Sequence, residues 1–379
     1  MKKFIFTTIF IVINICILEI GLYLLDPEEI FVKGFDKELL FRMYPKKKGI
    51  VASEEVSVTV ETNSDGYRQK IKKDSQEKVL IMGDSFTEGW GVEENEIYVE
   101  KLNSFTKDIF FINAGLHGSS PSLYAIQIPY VLNKYKPTQV IVQIFDNDLD
   151  DNEKLERFIQ FNKNGEAEKP KPKFLANLIT EKGYNFLKDL SIYRFFSKLI
   201  KVFKKEPSPI LYYKLGREPK IEILTHEKSI LKFGKLSPLG KEINLKYGNQ
   251  FGFYKDSSDD LWKNRLSKNL IYLTQIIQTA KKQNIPISFL YIPAKEFFAK
   301  GGILGDKKIH SSVSYESANP LYLQIYQLCT KEKLNCTFLT KDFFERSPEN
   351  LYFPFDAHLN RKGHQVLAEI LYEKFLKNP

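Results

Sequence analysis

The sequence contains little cysteine and histidine, with three and five residues of these types among 379. This excludes a disulfide-stapled mini-protein and a zinc array, because both need a denser set of bridges or ligands. A phosphate-binding G-x-x-x-x-G-K-[ST] loop is also absent. The hydrophobic content of 43% is too high for a disordered chain. At roughly 150 residues per domain, the length predicts one large or two modest globular domains.

The net charge of +9 and the pI near 9.0 raise the question of a nucleic-acid partner. However, charged residues make up 27% of the chain and are of mixed sign, without a dominant basic stripe. This pattern fits a soluble domain near an anionic surface equally well. We therefore predict no nucleic-acid partner.

The longest apolar run covers residues 4–25, which as a helix at about 1.5 Å per residue would extend roughly 33 Å. The sequence has no alanine before Ala52, so the A-x-A exit of a cleaved signal is missing. Two lysines precede the run and three acidic residues follow it within positions 26–29. This bias predicts a membrane anchor with a cytoplasmic N-terminus and an extracytoplasmic main domain.

Glu19 is the one charge inside the apolar run. A carboxylate at the bilayer centre costs about 3 kcal/mol, although less near the end of a span. Glu19 could pair with another membrane helix, or it could be protonated or reach for the interface. The second interpretation is favoured.

Two cysteines, Cys329 and Cys336, lie in the part that would be exported. In an oxidising compartment they could form a disulfide. They could equally be two separate buried thiols, and both alternatives stay open.

Short apolar runs alternate with helical patterns from residue 78 onward, which predicts parallel strands covered on both faces. The runs are VLIM (79–82), IFFIN (109–113), VIVQIF (140–145), ISFLYI (287–292) and CTFL (336–339). Residues 266–280 repeat their apolar positions at helical spacing, and Asn360 is a plausible N-cap for a final helix from Arg361 to about Leu376. We predict an α/β fold in three layers, doubly wound, with a mostly parallel five-stranded sheet.

The chain divides into four predicted parts. These are an anchor (1–27), a stalk with a strand-like stretch at 56–63 (28–77), a main domain (78–149 and 258–379) and an insertion (150–257). The insertion contains a basic amphipathic segment, with Ile192, Phe196, Leu199 and Phe203 on one face and Arg194, Lys198, Lys201 and Lys205 elsewhere. This segment could contact lipid headgroups or an acidic glycan, but a covering helix with a solvated basic face is favoured.

Polar blocks follow three of the predicted strands and precede the last helix. They read GDSF (83–86), NAGLHG (113–118), FDND (145–148) and DAHLN (356–360). In an open parallel sheet, ligands bind beyond the carboxyl ends of the strands. Ser85 therefore lies where chemistry is expected.

These four blocks, in this order, resemble the SGNH or GDSL-type hydrolase superfamily over residues 79–149 and 258–377. The resemblance implies Ser85 as nucleophile, His358 as general base and Asp356 as the carboxylate that orients the base. It also implies an oxyanion hole from the backbone N–H groups of Ser85 and Gly118 and the side-chain amide of Asn147. A serine hydroxyl needs such a neighbouring imidazole, because the free alcohol is a poor nucleophile. No cofactor is implied.

The match has two departures. Phe145 stands at the usual glycine position, before an added carboxylate at Asp146, and the spacing of Asp356 and His358 is D-x-H rather than D-x-x-H. The shorter spacing is similar to that of the membrane-linked O-acyltransferase branch. Within the oxyanion loop, His117 could contact substrate or be structural, with neither favoured.

Acidic residues cluster after the third strand, at Asp146, Asp148, Asp150, Asp151 and Glu153. The cluster lacks the central glycine and terminal glutamate of an EF-hand, so we predict no metal site. His364 is expected to pack in or on the last helix rather than to bind a ligand.

Each site residue also has a structural alternative. Ser85 could be an N-cap, Gly118 a turn glycine, Asn147 a loop cap and His358 a surface residue at a helix start. Their joint position at strand ends favours catalysis. An α/β-hydrolase elbow, G-x-S-x-G, is disfavoured because Thr87 occupies its last glycine position.

The sequence thus predicts a serine esterase that is anchored to the cytoplasmic membrane by residues 4–25, with O-acyl esters of envelope carbohydrate as substrates. An O-acetyltransferase that uses the same triad is the first alternative, since only the acceptor differs. A non-catalytic scaffold of an envelope assembly is the second.

Overall fold

The computed structural model describes residues 2–25, 33–52, 56–69, 77–171, 190–193, 195–196, 260–294, 319–346, 351–353 and 358–374. Most of the predicted insertion, together with Asp356, lies outside these residues. The division into anchor, stalk, main domain and insertion stays a prediction.

A parallel sheet of five strands forms the centre of the fold, as predicted. Its strands are β5 (Glu77–Gly83), β6 (Ile109–Gly115), β7 (Gln139–Phe145), β10 (Ile287–Ile292) and β11 (Thr337–Phe338). All six residues of β10 are buried, as are the last five of β5. Most residues of these strands are apolar, as expected for a sheet that helices cover on both faces.

The strands are ordered β6-β5-β7-β10-β11, so the chain moves outward in one direction from β5 to β6 and then crosses back to β7. A cleft forms where such a reversal occurs, at the carboxyl ends of the two central strands. Here that point lies between β5 and β7. The residues that follow β5 and β7 therefore lie at this cleft.

Helices form the two outer layers. The helices of the main fold are α2 (Ser85–Glu88), α3 (Tyr98–Phe105), α4 (Pro121–Tyr135), α5 (Asp148–Glu156), α6 (Asp260–Lys282), α7 (Pro320–Glu332), α8 (Thr340–Glu345) and α9 (Arg361–Tyr372). α4, α5 and α6 pack against one another, whereas α3 packs against α9. Right-handed crossovers from a reversing strand order place these two groups on opposite faces of the sheet. Asn360 caps α9 as predicted, accepting a 3.0 Å hydrogen bond from the Gly363 N–H.

Two small hairpins precede the sheet, and a third follows α5. They pair β1 (Lys33–Asp36) with β2 (Leu40–Met43), β3 (Lys48–Ala52) with β4 (Ser57–Glu61), and β8 (Ile159–Phe161) with β9 (Ala167–Pro170). The strand expected within residues 56–63 is β4, whose burial alternates from residue to residue. The β1–β2 hairpin packs on α4, because the Gln127 side chain donates to the Leu39 and Phe41 carbonyls at 3.1 and 2.8 Å.

The apolar run forms helix α1 (Lys2–Leu25), in which Phe6–Leu24 is long and apolar enough to cross a membrane. Glu19 differs from the favoured expectation. Its carboxylate accepts hydrogen bonds from the Ser191 and Ile192 N–H groups, at 2.6 and 2.9 Å. Residues 191–193 are helical, and the Glu19 charge is satisfied by backbone donors there that lie 172 and 173 positions away in sequence.

The amphipathic segment is described only at its start. Phe195 and Phe196 are exposed there, at 45% and 51%, and the covering helix stays a prediction. Leu199 and Phe203 and the lysines at 198, 201 and 205 lie outside the described residues.

Cys329 in α7 and Cys336, next to β11, form a disulfide. The alternative of two separate thiols is therefore wrong. The disulfide links α7 to the start of β11.

Candidate active site

Ser85 and His358 are in direct contact. Ser85 begins α2 immediately after β5, and His358 precedes α9. The His358 Nε2 and Ser85 Oγ atoms are 2.6 Å apart although the residues are 273 positions apart in sequence. Ser85 is 7% exposed. At this distance the imidazole can take the hydroxyl proton, which is the requirement for a serine nucleophile.

Backbone pairing holds the His358 loop in place. Tyr352 and Leu359 form an isolated antiparallel bridge. The Phe353 N–H donates to the His358 carbonyl at 3.0 Å, and the Asn360 N–H donates to the Leu351 carbonyl at 2.9 Å. The imidazole is thus fixed on a short ladder rather than on a free loop. The third predicted member of the triad, Asp356, lies outside the described residues.

The helix caps argue against the N-cap alternative for Ser85. The N-cap of α2 is Asp84, whose Oδ1 accepts from the Phe86 N–H at 2.9 Å, and not Ser85. The N-cap of α9 is Asn360, and Asn147 occupies the N-cap position of α5 without a side-chain cap bond. Gly118 does occupy a turn, with φ of +63°.

The three predicted oxyanion donors follow the three neighbouring strands β5, β7 and β6. The loop after β6 is tied to the end of β5, since the Leu116 N–H and the Ser119 hydroxyl both donate to the Gly83 carbonyl, at 2.9 and 3.0 Å. Within the described part of the chain, the N–H groups of Ser85 and Gly118 make no hydrogen bond. These donors are therefore available to a ligand.

Asn147 is oriented by a carboxylate. Its Nδ2 donates to Asp151 Oδ2 at 2.9 Å. Nδ2 carries two protons, so this bond leaves one for another acceptor. The Asn147 Oδ1 is buried and has no hydrogen-bond partner among the described residues.

His117 is held by Glu88, the last residue of α2. Glu88 Oε2 lies 2.8 Å from His117 Nδ1 and accepts the His117 backbone N–H at 2.5 Å. Burial alone opposes ionisation of Glu88, but His117 and Arg68 outweigh it and lower the pKa of this carboxyl below its ordinary value. Glu88 is thus a buried anion that fixes the loop containing Gly118.

One aromatic ring that the sequence analysis did not single out, that of Trp90, lies beside both histidines. The Trp90 ring lies 5.8 Å from the His117 ring and 6.0 Å from the His358 ring, between centroids. Gly89 ends α2 in a left-handed conformation, and the Trp90 N–H then donates to the Ser85 carbonyl at 2.9 Å. This turn brings Trp90 back beside the nucleophile. Its only sequence signal is its position five residues after Ser85.

The acidic cluster is mostly engaged in internal contacts. Asp146, the departure from the family pattern, accepts from Asn319 Nδ2 at 2.8 Å and from the Ala294 N–H at 3.1 Å, which ties the end of β7 to β10 and α7. Asp150 pairs with Arg265 at 2.8 Å, and Asp151 pairs with Lys154 at 2.6 Å. Among the described residues no group of three metal-binding side chains gathers.

His364 packs inside the protein, as expected. It is 1% exposed, its Nδ1 accepts from the Tyr98 N–H at 3.2 Å, and its ring stacks on Tyr98. Burial lowers the pKa of this imidazole to about 3. It is therefore a neutral core residue.

Asp84, beneath Ser85, should make stability depend on pH. Burial raises the pKa of this carboxyl from its ordinary value of 3.8 to about 7. Between pH 4 and 7 the folded state therefore keeps a proton that the unfolded state has lost, so the free energy of unfolding falls as pH rises. One such proton contributes a slope of about 1.4 kcal/mol per pH unit.

We expect Asp84→Asn to reduce this slope, measured by chemical denaturation at pH 4 to 8. Part of it should remain, because burial also raises the pKa of Asp148 well above its ordinary value. Asp108→Asn, at an exposed turn, is the control. An identical slope in wild type and Asp84→Asn would contradict the prediction.

No protein-family model and no curated protein matches the sequence. Among solved structures, the chain is similar to the psychrotrophic esterase EstA from Pseudoalteromonas sp. (12% identity, TM-score 0.37, 80% of this chain and 98% of that one). It is also similar to the acetylxylan esterase Axe2 from Geobacillus stearothermophilus (12%, 0.39, 80% and 95%). A third neighbour is AlinE4, an SGNH-hydrolase family esterase (15%, 0.34, 82% and 100%).

Proposed function

We propose that this protein is a serine ester hydrolase of the SGNH type that works through an acyl-enzyme intermediate. The observation that carries the proposal is the 2.6 Å contact between Ser85 Oγ and His358 Nε2 at the reversal point of the sheet. Two histidines and a tryptophan also lie around this buried serine, at the place where α/β folds bind ligands.

In the first half of the reaction, His358 Nε2 takes the Ser85 proton as Oγ attacks the ester carbonyl carbon. The tetrahedral intermediate then breaks its bond to the alcohol oxygen, which leaves with the proton from Nε2. In the second half, water gives a proton to Nε2 and attacks the acyl carbon. Ser85 then leaves as the alcohol, takes that proton back, and the acid is released.

The oxyanion of both intermediates would accept hydrogen bonds from the Ser85 and Gly118 N–H groups and from Asn147 Nδ2. Removal of one such donor typically costs about 3 kcal/mol of transition-state stabilisation. The proposal also assigns Asp356 the role of holding the His358 imidazole in the correct tautomer.

We further propose that α1 anchors the enzyme, with its catalytic part outside the cytoplasm. The lysines before the span and the acidic residues after it support this orientation. The disulfide between Cys329 and Cys336 supports an oxidising compartment. O-acyl esters of envelope carbohydrate are the proposed substrates, because such esters occur where an exported, anchored site can reach them.

A transferase remains the alternative for the same acyl-enzyme. His117 supports it, since its Nδ1 is bound to Glu88 and Nε2 is left to bind a hydroxyl beside Trp90. An added glycan acceptor should then raise ester consumption and become acylated. If the acceptor stays unmodified while ester is hydrolysed, hydrolysis is the reaction.

The first test is covalent labelling of the full chain in detergent with a fluorophosphonate. We expect one modified residue, Ser85, and no labelling of Ser85→Ala, because only a serine activated by an imidazole reacts at a useful rate. Hydrolysis of 4-nitrophenyl acetate should disappear in the same variant. A folded wild-type protein that neither labels nor hydrolyses the ester would favour the scaffold.

A further inference from the structure

Lys33 lies behind the proposed oxyanion loop although it belongs to the N-terminal extension. It begins β1, and its Nζ donates to the His117 carbonyl at 2.8 Å. The side chain is partly buried, with Nζ 5.0 Å from the centre of the Phe41 ring. A Cβ on Gly118 would lie 3.4 Å from Nζ, so the ammonium also abuts the next residue.

The His117 carbonyl and the Gly118 N–H belong to one peptide group. A cation that binds the carbonyl oxygen draws electron density toward that oxygen and leaves the N–H more positive, as along any hydrogen-bonded chain. Gly118 is exposed, and its N–H has no hydrogen bond within the described residues. Lys33 therefore strengthens the Gly118 N–H as a donor, and this N–H has no acceptor among the described residues.

Two side chains of opposite charge, Glu88 and Lys33, bind the backbone of the loop at His117. Glu88 Oε2 accepts the His117 N–H at 2.5 Å, and Lys33 donates to the carbonyl of the same residue at 2.8 Å. The carboxylate and the ammonium thus fix the two peptide groups that flank His117. Fixed dipoles of this kind need no reorganisation when negative charge develops, which is how oxyanion holes act.

A lysine is not needed if the hydrogen bond to the His117 carbonyl serves packing alone. Burial lowers the pKa of its ammonium, against the charges of Glu88 and Asp151, which raise it. A neutral donor could satisfy the same carbonyl without this desolvation. A charge at this position suits a site in which a negative charge appears during the reaction.

We propose that Lys33 is a positioning residue for ester hydrolysis, whose ammonium orients and polarises the His117–Gly118 peptide for the oxyanion. This inference rests on the proposed function. It makes the hairpin next to the anchor a part of the active site rather than a spacer. Lys33 follows the end of α1 at Leu25 by eight residues, so Lys33 lies within roughly 28 Å of that end at 3.5 Å per residue. Esters near the membrane surface are therefore the substrates within easiest reach.

Kinetics of full-length variants in detergent test the proposal. We expect Lys33→Met to lower kcat for 4-nitrophenyl acetate roughly 10- to 100-fold, with KM changed less than about twofold, because the charge acts on the oxyanion and not on the neutral ester. The inhibition constant of a phenylboronic acid, which forms an anionic tetrahedral adduct with serine, should rise by a similar factor. Lys33→Arg should restore most of kcat. Lys37→Met is the matched control, since it removes an exposed lysine (77%) from the same hairpin.

The outcomes separate the two proposals. If Ser85→Ala stays active, the proposed function fails and Lys33 with it. If Ser85→Ala is inactive while Lys33→Met keeps wild-type kcat, only the role of Lys33 fails. Should Lys33→Met not fold, Lys33→Gln keeps a donor without the charge. The role of Lys33 would also be contradicted if Lys33→Gln kept wild-type kcat and boronate affinity. The same holds if Lys33→Arg failed to restore kcat.

Discussion

Ser85→Ala and His358→Ala should each lower kcat for ester hydrolysis by roughly a million-fold, and the double variant should be no worse than either. The reason is that the hydroxyl and the imidazole act as one unit, with Oγ and Nε2 2.6 Å apart. Once the imidazole is lost, the serine has no base, and once the serine is lost, the base has no nucleophile to activate. The remaining activity would come from substrate binding and the oxyanion donors alone.

The measurement is steady-state hydrolysis of 4-nitrophenyl acetate by the four members of this double-mutant cycle. Ser104→Ala, which removes an exposed hydroxyl in α3, controls for the substitution itself. Losses that add in the double variant would mean that the two groups act separately. Such a result would contradict a nucleophile and base in one step.

Much of the fold follows from local patterns. The apolar runs at 79–82, 109–113, 140–145 and 287–292 are long because these strands are covered on both faces, and each appears in the sheet within a few residues of its expected ends. The fifth strand is shorter, with only Thr337–Phe338 of the predicted 336–339. Its ladder with β10 consists of two residue pairs, Leu290 with Thr337 and Tyr291 with Phe338.

The parts of the site on strand ends were also predictable, because the order of elements fixes where Ser85, Gly118 and Asn147 lie. The supporting contacts were not. Lys33 reaches His117 across 84 residues, and Glu19 reaches Ser191 across 172. Neither contact has a spacing that a helix or strand would repeat, so only the packed fold brings these groups together.

The position of Trp90 depends on a different kind of information. It follows from the length of α2, a single turn that ends in left-handed Gly89. A helix of ordinary length would have carried residue 90 away from Ser85. Helix ends are among the features that sequence patterns fix least well.

Asn147→Ala should lower kcat by roughly 100- to 1000-fold and leave KM within a few-fold. Asn147 Nδ2 is the one side-chain donor of the proposed oxyanion hole, and its contribution is larger in the transition state than with the neutral ester. Asn147→Asp should be worse than alanine, because a carboxylate there would face both the oxyanion and Asp151, the acceptor now 2.9 Å from Nδ2.

A third variant tests how the donor is oriented. Asp151→Ala keeps the amide but removes the acceptor that holds it, so kcat should fall about 10-fold, less than for Asn147→Ala. Asn164→Ala, in the exposed turn between β8 and β9, is the control. If Asn147→Ala instead raises KM and spares kcat, the amide binds the ground state and the oxyanion hole consists of backbone donors alone. If Asn147→Asp and the wild type had equal kcat, Asn147 would not be an oxyanion donor, since a carboxylate cannot donate to an oxyanion at neutral pH.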